Sequence, residues 1–144
     1  MPQPSCPQEA LDSSIFFAVK KLNRALTKIA EDFFHKVDLK PSYVPILLIL
    51  SHENGKIQKD LAKMLCIAAP SMTRLIEKLV HKDLVKVVCE GRTKRIYLTD
   101  KGRELIPELC QVHLALHEEI NQLVKTGFSD TLIAELNQIT NQLQ

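Results

Sequence analysis

Three basic side chains, Arg92, Lys94 and Arg95, follow Glu90 and Gly91 within a few residues. Guanidinium and ammonium groups gathered in this way suit a polyanion, with arginine able to enter a narrow, electronegative minor groove while its neighbours clamp phosphates. A second cluster, Pro70, Ser71, Thr73, Arg74 and Lys78, lies upstream. Short hydroxyls and cations in the first half of a helix are the groups that reach base edges and phosphates in a major groove. For either cluster alone, the plain alternative is a solvated basic face.

Other reactive residues carry less. Cys6, Cys66, Cys89 and Cys110 form no CxxC pair and no metal-knuckle spacing, so neither a disulfide framework nor a structural zinc site is legible. A thiol-based redox role for any of the four is the weaker reading beside that of a small apolar side chain. His113 and His117, with Glu118 adjacent, have a spacing that can hold a metal. Two ligands without a third are thin evidence, and no metal site is assigned. The chain has no glycine-rich phosphate loop, no HExxH and no nucleophile elbow, and it offers no paired carboxylates in a plausible cleft. The expectation is a protein that is not an enzyme and needs no cofactor.

Charge along the chain supports a polyanionic partner. The formal net charge is only +2 over 144 residues. Residues 1–55 are balanced, residues 56–103 carry +7, and residues 104–144 carry −5. The middle of the chain is therefore the part fitted to nucleic acid. No apolar run approaches the ~20 residues needed to cross a bilayer, and the N-terminus lacks the pattern of a secretory signal. No membrane partner and a cytoplasmic location are expected.

Hydrophobic periodicity supplies the elements that position these groups. Ile15, Val19, Leu22, Leu26, Ile29, Phe33 and Val37 mark a long amphipathic helix, preceded by a tail that holds Cys6. A short helix follows around Ile46–Leu50. Pro45 sits in its first turn or kinks it, and Asn54 and Gly55 close it. Leu61, Ala62 and Leu65 form one apolar face, and Met72, Leu75, Ile76 and Leu79 another, as in two helices joined by a turn of roughly three residues. Val85, Val87 and Val88 then pair with Ile96, Tyr97 and Leu98 in a hairpin that bends at Glu90 and Gly91, a wing with Arg92, Lys94 and Arg95 at its tip. Thr99 caps a long helix striped by Leu105, Leu109, Val112, Leu116, Ile120 and Leu123. Gly127 stops that helix, and Phe128 and Ser129 open a last one striped by Leu132, Leu136, Ile139 and Leu143. The terminal stripes exceed what one small core can bury. A partner surface is implied, and the simplest partner is a second copy.

The run DLAKMLCIAAPSMTRLIEKLVHKDLVKVVCEGRTKRIYLTDKGREL, and the order of elements around it, resembles the MarR family of bacterial winged-helix transcription regulators. The likeness is strongest in LA-x-x-L from Leu61, T-R-L at Thr73–Leu75, L-V at Leu84–Val85 and L-T-x-x-G at Leu98–Gly102. It implies a mainly α (α+β) fold, a winged helix-turn-helix whose long terminal helices form a homodimer interface. Residues 1–144 would be a single domain. Residues of about 38–101 would form the DNA-binding lobe, and those of about 11–37 and 102–144 the dimerisation helices.

The implied function is a regulator, usually a repressor, that binds a pseudo-palindromic double-stranded DNA operator and is sometimes released by a small aromatic or phenolic ligand or by an oxidant. The alternative is a winged-helix interaction module that never meets DNA. Pro70, Ser71, Thr73, Arg74 and Lys78 would lie on the recognition helix. Arg92 would be the wing arginine, and Glu90, two places before it, could orient its guanidinium or serve simply as a turn residue. The ligand cleft would lie between the dimer helices and the DNA-binding lobe, with Tyr43 a candidate in its lining. Four departures stand out. The wing is about three residues shorter than the family habit on its incoming arm. Cys66 and Asp83 replace common glycines, and Ala68 replaces the usual Ser or Thr cap.

Overall fold

The computed structural model describes residues 6–124 and 129–144. Among them seven helices and three strands follow one another as α1 Pro7–Asp12, α2 Ile15–Phe34, α3 Val44–His52, β1 Lys56–Ile57, α4 Gln58–Met64, α5 Ala69–His81, β2 Val85–Glu90, β3 Thr93–Leu98, α6 Asp100–Leu123 and α7 Asp130–Leu143, with 3-10 turns at His35–Val37 and Pro41–Tyr43. The expected winged helix-turn-helix between long terminal helices is the fold observed.

The apolar stripe of α2 serves two surfaces. Its second half packs inward, with Phe34 buried and Ile29 and Phe33 against the core. Its first half stays open, Ile15 being 70% exposed and Val19 and Leu22 over 40%. The segment expected as a tail before it holds the short helix α1, whose first turn is capped by the Cys6 Sγ accepting from the Glu9 amide at 3.4 Å. Asp12 ties α1 to α2 through an ion pair with Lys21. That bond and a second one from Gln8 hold the Asp12 carboxyl below its usual range.

Helix α3 is apolar on nearly every side, and Val44, Ile46, Leu47 and Leu50 are buried. Pro45 falls in its first turn, where its missing N–H costs nothing, so no kink is needed. The chain then turns onto the sheet. The Asn54 Oδ1 accepts from the Leu98 amide at 2.8 Å, and the Gly55 amide donates to the Ile96 carbonyl at 2.9 Å. Gly55 has a φ of +80°, and a Cβ there would lie 2.6 Å from the Tyr97 ring, so only glycine fits. The sheet order is β1-β3-β2, antiparallel throughout, with Ile57 opposite Arg95 and Val85 opposite Leu98.

Leu61, Met72 and Leu79 from the helix pair, Ile96 from β3 and Leu109 from α6 are fully enclosed in the same core as the buried residues of α3. Helix α6 starts as expected, the Thr99 Oγ1 accepting from the Gly102 amide at 3.0 Å. The same hydroxyl donates to the Asp83 carbonyl at 2.5 Å, which fastens the helix to the segment between α5 and β2. Gly127 and Phe128 lie outside the described residues. Ser129 caps α7, its Oγ accepting from the Leu132 amide at 3.1 Å.

Candidate nucleic-acid interface

Helices α4 and α5 are joined by four residues, Leu65 to Ala68. The turn closes through the Ile67 amide on the Ala62 carbonyl at 2.9 Å, and Cys66 takes a left-handed φ of 54° within it. A thiol side chain thus stands in a conformation that favours glycine. Ala68 caps α5 without a side-chain hydrogen bond, and Pro70 occupies the first turn.

Of the residues expected on a recognition helix, Pro70, Ser71, Arg74 and Lys78 are exposed on α5. The Arg74 Nε rests on the Pro70 carbonyl at 3.5 Å. Thr73 is half-buried and already engaged. Its Oγ1 donates to the Ala69 carbonyl at 3.1 Å and accepts from the Gln58 Nε2 at 3.2 Å. Thr73 therefore fixes α5 against α4 in addition to lining the surface. Gln58 escaped the sequence reading, although its place as the first residue of α4 was a usable signal.

The wing is compact. The β2–β3 ladder runs unbroken from Val85–Leu98 to Glu90–Thr93 and leaves only Gly91 and Arg92 as the turn. The bend is one residue later than expected because Glu90 completes the ladder. Gly91 has a φ of +63° and Arg92 does not share it, the combination of a two-residue II′ hairpin.

The three wing cations separate. Arg92 is exposed at the turn, and no hydrogen bond or ion pair among the described residues engages it. Lys94 alternates onto the inner face with Ile96 and lines clefts shared with Gln58 and Thr73. Arg95 lies on the outer face. Its Nε donates to the Glu90 Oε2 at 3.2 Å, and its Nη1 donates to the Gly55 carbonyl at 3.1 Å. Two expectations are corrected here. Glu90 orients Arg95 and not Arg92, and Arg95 is held at the base of the wing and not presented at its tip.

The cleft of about 270 Å³ between these elements brings the clusters together. Ala69 and Thr73 from α5, Gln58 and Lys59 from α4, and Arg92 and Lys94 from the wing all line it. Helices α4 and α5 and the wing tip therefore border one concave surface, with Lys59 on the helix side and Arg92 and Lys94 on the wing side.

Cys6, Cys66, Cys89 and Cys110 are all exposed free thiols. No group of three or more metal-ligating side chains occurs among the described residues. Tyr43 is 3% exposed and borders a cleft of about 320 Å³ with Glu31, His35 and Lys82. No described helix is long and apolar enough to cross a membrane.

Comparison with known proteins agrees with this geometry. The MarR family model matches residues 39–88, from the segment before α3 through most of β2. The HTH-type transcriptional regulator MhqR of Bacillus subtilis (strain 168) is 22% identical over 113 residues, covering 76% of each chain. Among solved structures, the S. aureus MepR–DNA complex superposes with a TM-score of 0.75 at 21% identity, over 91% of this chain and 98% of that one. The transcriptional repressor CouR, bound to a 23-mer DNA duplex, gives 0.76 at 21% identity, over 97% and 99%. The helix pair and most of the first wing strand thus carry the match to the MarR family model, and the chain shares the fold of the MepR and CouR structures over nearly its whole length.

Proposed function

We propose that this protein is a DNA-binding transcription regulator, a repressor that holds a pseudo-palindromic operator as a homodimer. The observation that carries the reading is the single basic face made by α5 and the wing. Lys59, Thr73, Arg92 and Lys94 line its concave part, Ser71, Arg74 and Lys78 are exposed elsewhere on α5 for a major groove, and no hydrogen bond or ion pair among the described residues engages Arg92. The names of the relatives support it, since CouR is a repressor bound to a DNA duplex and MepR is likewise in complex with DNA.

Dimerisation is supported by apolar side chains that the single chain leaves in water. Ile15, Phe16 and Leu22 on α2, Leu114 and Leu123 on α6, and Leu132, Leu136 and Ile139 on α7 are each 39–70% exposed. Stripes of this length mark a contact surface. In this reading, residues of about 11–37 and 102–144 join the two copies and those of about 38–101 meet DNA. A two-fold dimer then sets its α5 helices one duplex turn, about 34 Å, apart. A small aromatic ligand, if the protein takes one, belongs in the cleft beside Tyr43, at the junction of α2 with the DNA-binding lobe.

The test is a titration of the purified protein on duplexes selected from a random-sequence pool, repeated across salt concentrations. Binding whose logarithm falls linearly with log salt, by about 0.9 for each phosphate contacted, supports the reading. A protein that enriches no duplex and shows no salt-dependent binding is an interaction module instead.

A further inference from the structure

We infer that Arg95 is a positioning residue that braces the wing across all three strands and, by occupying Glu90, leaves the Arg92 guanidinium unclaimed for DNA. The inference rests on the proposed function and deepens it. Arg95 sits on the central strand β3, with Val88 of β2 on one side and Ile57 of β1 on the other. Its two hydrogen bonds leave in those two directions. One goes to Glu90, the last residue of β2, and the other to the carbonyl of Gly55, just before β1. A planar guanidinium offers several donors in a fixed fork and spans both partners at once, which a single ammonium does not do.

The Arg95 and Glu90 side chains are 38% and 58% exposed, so as a surface ion pair they add little to overall stability. Their contribution is geometric. The wing is only six residues on each arm with a two-residue turn, and a change in its angle at the base moves Arg92 directly. Glu90 is also the nearest acid in sequence to Arg92, and a carboxylate free to fold over that guanidinium would compete with phosphate for it.

The experiment compares Arg95→Gln, Arg95→Lys, Glu90→Gln, the Glu90→Gln/Arg95→Gln double variant and Arg92→Gln in the full chain, on a duplex selected by the unaltered protein. Arg95→Gln and Glu90→Gln each weaken binding by about tenfold with no change in salt slope, and the double variant is no worse than either alone. Arg95→Lys behaves like Arg95→Gln although the charge is kept. Arg92→Gln lowers the slope by about 0.9.

If Arg95 instead touches phosphate, Arg95→Gln lowers the slope, Arg95→Lys largely restores it, and Glu90→Gln tightens binding by removing a repelling charge. That pattern overturns the inference. Amide hydrogen exchange without DNA separates the two readings. The brace requires faster exchange at Thr93 and Arg95 in Arg95→Gln, with Leu61 and Leu79 unchanged. Unaltered exchange at the wing refutes the brace, whereas altered exchange in a protein that binds no duplex refutes only the DNA reading.

Discussion

Replacing Gly102 by alanine tests the joint on which the long helix is mounted. A Cβ at residue 102 would lie 2.1 Å from the Leu84 carbonyl oxygen and 3.1 Å from its carbon, which demands a displacement of about 1 Å. Leu84 cannot yield cheaply. It is 3% exposed, its amide is bonded to the Leu79 carbonyl, and its own carbonyl accepts from the Thr99 amide at 3.1 Å. Relief must therefore come from pulling the start of α6 off the start of β2. That movement forfeits the Thr99 amide bond, about 1 kcal/mol, and weakens a helix cap worth ~0.5–2 kcal/mol. Overpacking adds ~1–3 kcal/mol, while the better helix propensity of alanine returns only ~1 kcal/mol. The net expectation is a loss of about 3 kcal/mol, near 10 °C in melting temperature for a chain of this size. Urea denaturation of the two proteins measures it. Gly91→Ala is the control, since no atom lies within 4 Å and the substitution meets only the cost of its φ of +63°, about 1 kcal/mol. A Gly102→Ala protein as stable as the parent would show that the joint yields and that helix propensity governs the site.

At the turn before α5, Cys66→Gly relieves a left-handed φ and raises the melting temperature by about 2–4 °C, while Cys66→Ala, which keeps the Cβ, does not; an equal rise in both would assign the effect to the thiol and not to the backbone. Arg74→Ala relaxes discrimination between selected and scrambled duplexes by ~1–3 kcal/mol if the guanidinium reads a base edge, and a uniform loss on both, measured by competition, would make it a phosphate clamp. Leu22→Glu and Ile139→Glu, at positions 42% and 46% exposed, leave the fold intact and convert a dimer to monomers in sedimentation; dimers that persist in both would move the interface away from α2 and α7.

What the sequence made legible follows the length of each signal. The helices α2, α6 and α7 repeat an apolar residue over three or more turns and α5 over about two, and each lies where its stripe puts it. Strand β1 has two residues, too few for an alternation, and owes its existence to the pairing of Lys56 and Ile57 with β3. Helix α1 has six residues and none buried, so no stripe announces it.

The pairing of Glu90 was misread for a physical reason. The family resemblance implied Arg92 as its partner, but the ladder sets Glu90 opposite Thr93, which makes Arg95 its diagonal neighbour on the same face, while Arg92 leaves the sheet at the turn. The departures at residues 66 and 83 were visible as missing glycines, and both positions proved to be left-handed, with φ of 54° and 59°. The conformation was retained although the residue best suited to it was not.

The separation of charge along the chain has a kinetic consequence. The excess of positive charge belongs to β1–β3, α4, α5 and the first residues of α6, whereas the rest of α6 and α7 are acidic. A helix of 24 residues is about 36 Å long, several times the ~8 Å over which physiological salt damps a field. In the proposed reading, the negative end is therefore too remote to repel a duplex seated against α5. In free diffusion at low ionic strength, however, the two poles exert a torque that turns the molecule basic end first, so dilute salt should raise the frequency of productive collisions more than net charge alone would suggest.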